Sequence, residues 1–421
     1  MSETPIERLL RIGTKGAATE VNRGKKHKHP AGWTPGVQIS ASGGHIVTDP
    51  RGEAPEDWTA LLEELLPPGV PADEYQIVDG TIEVRAWDSG DGEGGTKRLY
   101  YFKAKIVKKN SEVNVDLNEI VAIAKKAKIK PQQTAGEERA YFIQITDLQA
   151  GQADGFGVEG MVAKALQIAE LAKADLAGLK AMGKPASQIF IPITGDLVEG
   201  ISGWYEMQTF SVQLDRRDQA KLVRRLLTEM LLSLAETGLP IHVATVPGNH
   251  GENRQNGKAY TTLGDNDDVA ILEQVADAFS LAGNLENVTF SFPGKERLSL
   301  TVEVLGWVIG LTHGHIARGG TGVEGRILSW FKSMAATRDP IGDADLLFTG
   351  HYHHARYQQL VGDTEWIQGG ALCDSSAWFS QTAGLVSDPV VMKGTITKEQ
   401  RIEMMMPHSW PRTKTPSREL V

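Results

Sequence analysis

The chain has 421 residues, 41% of them hydrophobic and 23% charged, with a formal net charge of −9 and a single cysteine, Cys373. That length buries a large core and leaves room for two or three domains, and the hydrophobic share is that of an ordinary soluble globular protein. The lone cysteine excludes an internal disulfide framework and a cysteine-built zinc site, while the acidic balance argues against a general nucleic-acid coat, although a local basic face can still hold a phosphate backbone.

The opening segment MSETPIERLLRIG is acidic early and lacks a signal-peptide core, and no run approaches the roughly 18 apolar residues of a membrane span. A cytoplasmic protein with no membrane partner is expected. Residues 1–32 place Arg23, Lys25, Lys26 and Lys28 among glycines and histidines with little periodic hydrophobicity, which predicts a flexible basic arm.

A small α+β module is expected over 33–110. Trp58, Leu61, Leu62 and Leu65 recur at helical spacing, then Thr81–Trp87 and Leu99–Val107 read as strands separated by the loop-like run Asp88–Gly95. Residues 111–138 read as a helix, Val115–Lys128, followed by a linker at Lys130–Gly136.

From 139 to 421 the rhythm changes. Apolar runs at Tyr141–Ile145, Ile189–Ile193, Ile241–Val246, Val302–Leu311 and Leu346–Phe348 alternate with helical stretches at Val158–Met182, Phe210–Glu236, Asp267–Leu281 and Gly322–Thr337. This alternation predicts an α/β fold with helices covering sheets, whose ligands bind beyond the C-terminal ends of the strands. The residues found there are Asp147 and Gln149, Gly195-Asp196, Gly248-Asn249-His250, Thr312-His313-Gly314-His315 and Gly350-His351-Tyr352-His353-His354. Six of the eleven histidines fall in these short runs. Imidazoles and carboxylates gathered at strand ends are metal-ligand chemistry, whereas His242, inside a strand, and His354 are expected to be structural.

In this order the motifs resemble the calcineurin-like metallophosphoesterase superfamily, whose pattern is D-x-H, GD, GNH, H and GHxH, over about Tyr141 to Gln368. The resemblance implies a four-layer sandwich of two facing β-sheets flanked by helices, with a dinuclear metal site at the sheet edge. It implies that Asp147 and His353, with Gln149, bind a first ion, that Asp196 bridges both, and that Asn249, His313 and His351 complete a second. The ions are two divalent metals, foremost Mn²⁺, with Mg²⁺, Fe²⁺ or Zn²⁺ fitting the same mixed O and N donors. His250 would act as general acid or transition-state donor beside a metal-bound hydroxide, with Asp196 counted as catalytic and with His315 and Arg254 on the substrate side.

Two departures stand out: Gln149 occupies the place of the family's His, and Gly251-Glu252 follows GNH where many members carry an acidic residue at once. A carboxamide oxygen is the poorer donor, so a weaker first site is expected.

The helix after Asp196 carries Arg216, Arg217, Lys221, Arg224 and Arg225, read as a solvated face or, alternatively, as a track for a nucleic-acid backbone. Trp366–Leu372 resembles the closing strands of nuclease-like and phage-encoded members, and the 33–109 module loosely resembles leader modules of phage phosphoesterases, which would place the protein in a bacterial host cytoplasm. The expected activity is hydrolysis of phosphodiesters in a nucleic acid (DNA or RNA) or a nucleotide. The alternatives are a phosphomonoesterase acting on a nucleotide or protein, and a catalytically weakened scaffold that keeps the fold for binding.

Overall fold

A computed structural model describes residues 19–21, 33, 35–40, 43–51, 61–62, 66, 75–77, 81–90, 95–108, 117–129, 138–153, 157–201, 203, 208, 212–255, 258–373 and 388–411. The chain divides into two compact units, one of Arg11–Asn114 and a larger one that includes Val115–Val421. Arg23, Lys25, Lys26 and Lys28 of the expected arm, most of the Trp58–Leu65 stretch and the Lys130–Gly136 linker lie outside the described residues.

The smaller unit is built on one sheet. Its strands are β1 (Thr19–Val21), β2 (Gly36–Ser40), β3 (Gly43–Val47), β4 (Tyr75–Ile77), β5 (Glu83–Gly90) and β6 (Thr96–Lys108), in the order β1-β2-β3-β6-β4 with β5 also paired to β6. Val37, Ile46, Leu61, Leu62, Leu66, Tyr75 and Ile106 form its core. The β5–β6 pairing continues from Glu83↔Lys103 to Gly90↔Thr96, so the strand runs through Asp88, Ser89 and Gly90, against the loop that their composition predicts. An Arg98–Asp88 ion pair across the ribbon offsets the poor strand propensity of the aspartate.

The larger unit opens with the helix Leu117–Ala124 and is then mixed α/β. Its strands are β7 (Arg139–Ile143), β8 (Gln188–Ile193), β9 (Ile241–Thr245), β10 (Arg254–Gln255), β11 (Lys258–Ala259), β12 (Val288–Ser291), β13 (Ser299–Val304), β14 (Trp307–Thr312), β15 (Leu346–Thr349), β16 (Arg356–Val361), β17 (Thr364–Gln368), β18 (Val390–Val391), β19 (Lys393–Thr397), β20 (Met404–Met405) and β21 (His408–Ser409). One sheet has the order β12-β9-β8-β7-β19-β20, parallel through β12, β9, β8 and β7; the other has the order β13-β14-β15-β17-β16, parallel through β14, β15 and β17. The pairs β10–β11 and β18–β21 stand apart.

Strand alternation explains the packing. Ala140 and Phe142 of β7, Phe190 of β8, Ile309 and Leu311 of β14, Leu346 and Phe348 of β15 and Ile367 of β17 share one buried cluster, so the two sheets bury their facing surfaces against each other. The Phe142 and Phe348 rings meet edge-on with centroids 5.3 Å apart. On the other face of β7, the Tyr141 hydroxyl donates to Asp175 Oδ2 at 2.7 Å, joining the helix Gly157–Ala181 to that side. Against the second sheet, Ile327, Trp330 and Phe331 of the helix Gly322–Ala336 pack on Leu347 and Trp366.

Two expectations shift. The apolar run Val302–Leu311 is a hairpin, turning at Leu305 (φ 54°) and Gly306 (φ 88°), and β13 pairs back on β14 from Val304↔Trp307. Both turn residues have positive φ, as a tight antiparallel turn demands, and Leu305 disguises it because it gives no loop signal. The helix expected from Phe210 begins at Arg216, after Asp215. The remaining long helices are Arg216–Ala235 and Asp267–Ala282, and among the described residues no helix is long and apolar enough to cross a membrane.

Candidate metal centre

The C-terminal ends of five parallel strands, β7, β8 and β9 of one sheet and β14 and β15 of the other, carry the residues singled out from the sequence. Hydrogen bonds across the sheets bring those ends to one edge. Gln144 Nε2 donates to Thr349 O at 2.8 Å, and the His351 amide donates to both Asp147 carboxylate oxygens at 3.2 and 3.1 Å.

The backbone here is bent into costly conformations. Among the described residues, the non-glycine positive-φ positions are Asp147 (49°), Gln149 (42°), Asp196 (53°), Leu305, Arg338, His351 (73°) and His353 (55°). Five of these seven are predicted site residues. Such conformations cost on the order of 1–3 kcal/mol each and persist only where surrounding structure enforces them. Glycines leave room for the bent segments: a Cβ on Gly248 would stand 2.1 Å from the Asp196 nitrogen, and one on Gly350 would stand 2.5 Å from Asp147 Oδ2.

Two groups of side chains result. In the first, fully buried Asp147 accepts a hydrogen bond from Thr146 Oγ1 at 2.6 Å and lies 3.3 Å from His353 Nε2. Burial pushes its carboxyl up, but the hydrogen bond and charge of His353, with the charge of His313, outweigh burial and hold it below the ordinary value. In the second, Asp196, His313 and His351 place ligand atoms within 4.8 Å of one another. Asp196 Oδ2 lies 2.9 Å from His313 Nε2, and Oδ1 accepts the His250 amide at 2.8 Å.

His313 Nδ1 faces the Thr194 carbonyl at 2.6 Å, and a carbonyl only accepts, so the ring proton sits on Nδ1 and Nε2 is directed inward. Burial opposes its charge, yet Asp196 and Asp147 push the His313 pKa up to about 9. His351 goes the other way, to about 3, because burial and the neighbouring charge of His313 disfavour its cation. Asn249 is buried on the loop after β9, next to His250 in the chain.

His250 is fixed at both ends. Its Nδ1 donates to the Glu199 carbonyl at 2.8 Å, while Nε2 lies 3.4 Å from Gln149 Nε2 and 4.0 Å from Asp196 Oδ2. Gln149 sits between His250 and Cys373, whose thiol donates to Gln149 Oε1 at 3.1 Å. The oxygen that would serve a metal ion is therefore engaged by the thiol.

On the far side, Arg254 Nε donates to Glu252 Oε2 at 2.8 Å, and Glu252 Oε1 stands 3.7 Å from His315 Nε2. His315 and Arg254 are thus brought together around Glu252. Both His315 ring nitrogens are buried without a hydrogen-bond partner among the described residues, and burial, with the His313 charge, pushes the ring down to about 3.

No family profile and no curated protein matches the sequence. Solved structures that match include a conserved uncharacterized protein from Streptococcus pneumoniae TIGR4, described as a predicted phosphoesterase, with 12% identity over 65% of this chain and 100% of that one and a TM-score of 0.26. Vacuolar Protein Sorting 29 from Cryptosporidium parvum matches at 14% identity over 65% of this chain and all of that one, with a TM-score of 0.29. The 5′-nucleotidase of Candida albicans SC5314 matches at 9% identity over 64% of this chain and 54% of that one, with a TM-score of 0.27. Likeness this distant leaves the functional reading to the side chains.

His242 lies in β9 with its ring 2.8 Å from Ser291 Oγ and beside Phe190, as a packed strand residue. Of the basic helix residues, Arg225 is buried and pairs with Glu119 and Glu229, Arg216 pairs with Asp267, and Arg224 donates to Gln274. The solvated-face and backbone-track readings therefore fail at Arg225, because its guanidinium is consumed inside the unit. Sequence reasoning missed Glu199, Cys373, Asn266 and Asp268. The last two sit in Gly264-Asp265-Asn266-Asp267-Asp268, which signals a helix start and nothing of its reach.

Proposed function

We propose that this chain is a dinuclear metal-dependent phosphoesterase of the calcineurin-like kind, built as a four-layer sandwich and acting on phosphodiesters of a nucleic acid or nucleotide in the cytoplasm. One observation carries the reading. Two buried carboxylates, Asp147 and Asp196, stand on neighbouring strand ends, each facing an imidazole, and each on a backbone held left-handed to aim it. Burying two carboxylates together is costly unless cations offset them, and the donor set fits divalent ions with mixed oxygen and nitrogen ligands.

In this reading Asp147, His353 and Gln149 would hold a first ion, Asn249, His313 and His351 a second, and Asp196 would serve both. When bound, such a pair supplies Lewis acidity and a nucleophile usable near neutral pH. Mn²⁺ is the ion of first choice, since Gln149 offers a carboxamide oxygen in place of an imidazole.

The chain supplies the rest. His250 carries its Nδ1 proton on the Glu199 carbonyl, so Nε2 is the nitrogen turned to the site, placed to hold a proton for the leaving oxygen. His315 and Arg254 orient the phosphate beside Glu252.

A second reading, a scaffold with a weakened centre, is favoured by one contact only, the thiol of Cys373 on Gln149 Oε1. The experiment that separates these is turnover of bis(p-nitrophenyl) phosphate against p-nitrophenyl phosphate with added Mn²⁺, with Asp196→Asn as control. Diester preference with an inactive control supports the phosphodiesterase; monoester preference turns the reading to a phosphomonoesterase. No turnover together with no Mn²⁺ uptake replaces it with the scaffold.

A further inference from the structure

We propose that Asp268 and Asn266, at the start of the helix Asp267–Ala282, are positioning residues that set the spacing between the loop carrying Asp196 and the loop carrying Asn249 and His250. This rests on the metal-centre reading above and assigns the device that holds the centre in register.

The geometry is a clamp. Asp268 is fully buried, and its Oδ2 accepts from the Asp196 amide at 2.8 Å and the Gly248 amide at 2.9 Å, while Oδ1 accepts from the Leu197 amide at 3.0 Å. One carboxylate thus ties two main-chain donors of the first loop to one of the second. Asn266 works from the other side: Oδ1 accepts the Asp268 amide at 2.9 Å, and Nδ2 donates to the Gly248 carbonyl at 2.8 Å. Gly248 is therefore held at both its N–H and its carbonyl by the same helix start. The main chain adds a third tie, from the Asp267 amide to the Gly251 carbonyl at 3.0 Å.

No slack remains around these bonds. A Cβ on Gly251 would stand 2.6 Å from Asn266 Oδ1, so the helix start is seated directly on the turn after His250.

A helix cap alone does not call for this arrangement. Asn266 already caps the helix, and burying a further carboxylate is expensive unless its donors are worth the cost. What Asp268 adds is a fixed distance between the two loops and a negative charge behind the place where cations would bind. Its partners here are amides of the Asp196 residue and its neighbours, so a change at Asp268 reaches the centre through one hydrogen bond.

The test is Mn²⁺ titration of the full chain, followed by electron paramagnetic resonance of free Mn²⁺, with thermal melts in EDTA on the same samples. The variants are Asp268→Asn, which places an NH₂ against amide donors, and Asn266→Ser, which retains a hydroxyl cap for the Asp268 amide but loses the bond to Gly248. Asp268→Asn is expected to bind Mn²⁺ about 10–100-fold more weakly, and Asn266→Ser about 10-fold more weakly, at temperatures where both are folded. Lower melting temperatures with unchanged Mn²⁺ affinity overturn the proposal, leaving these residues as fold elements only. Should Asp268→Asn fail to fold, Asn266→Ser decides alone. Wild-type protein that takes up no Mn²⁺ instead overturns the metal-centre reading, and the positioning role with it.

Discussion

His313 and Asp196 join the two sheets of the larger unit: Nε2 of the imidazole, which follows β14, stands 2.9 Å from Oδ2 of the carboxylate, which follows β8. The opposite ring nitrogen is anchored on Thr194, two residues before Asp196, so one side chain spans the seam twice. A centre built across a seam depends on the packing beneath it, here the Phe142, Phe190 and Phe348 cluster.

Asp196→Asn removes one negative charge from the group of Asp196, His313 and His351 while keeping its shape. Loss of phosphoesterase turnover and weaker uptake of both ions are expected, read by Mn²⁺ titration and a chromogenic diester. Full turnover in this variant would mean that Asp196 does not span the two ions.

His250 is tied to Glu199 through Nδ1 and reaches the centre through Nε2. With His250→Ala, Mn²⁺ stoichiometry should stay intact while kcat falls by about 10²–10⁴-fold, the range for loss of a general acid or base. Parallel losses of metal and rate would reassign His250 as a ligand.

Gln149→His should tighten the first ion, because imidazole is the better donor and the left-handed backbone there is one that His351 and His353 already adopt. The thiol of Cys373 would lose its acceptor in the same step. Isothermal titration with Mn²⁺ or Zn²⁺ checks this; an unchanged first binding event would show that residue 149 does not face the ion.

Glu403 reports on stability far from the centre. Its carboxylate accepts from Arg139 at 2.6 and 3.0 Å, from Lys184 at 2.9 Å and from Thr395 at 3.0 Å. The Arg139 hydrogen bonds, foremost, hold its pKa down to about 2, against burial. A folded-state value below the unfolded value of about 4.3 means stability present above that pH and lost as pH falls toward 2. Thermal melts across pH should therefore show Glu403→Gln below wild type at neutral pH, with the gap closing between about pH 4 and 2. A gap independent of pH would place the effect in packing rather than charge.

Much of this protein is written locally in the chain. The apolar runs ending in Asp147, Asp196, Asn249, His313 and His351 announce strands with polar ends, and three of the four long helices begin within a residue of where periodicity places them, while the one expected from Phe210 begins at Arg216. These features are local, set by side-chain period and by glycines at turns. The hairpin at Leu305-Gly306 was hidden because nothing in a leucine announces a positive φ; only the pairing of Ser299–Val304 with Trp307–Thr312 imposes it.

Contacts between residues distant in sequence form only on folding. Arg225 looks like a surface cation until Glu119 is folded against it, and Cys373 looks inert until it meets Gln149, 224 residues away. Asp268 reads as one more acidic residue at a helix start, yet it closes on amides 71 and 72 residues earlier. Local patterning is enough to say which chemical groups stand at the strand ends. Which of them meet, and what holds them there, followed from the two sheets closing over a common apolar core, because buried polar groups must find partners wherever the packed chain brings them.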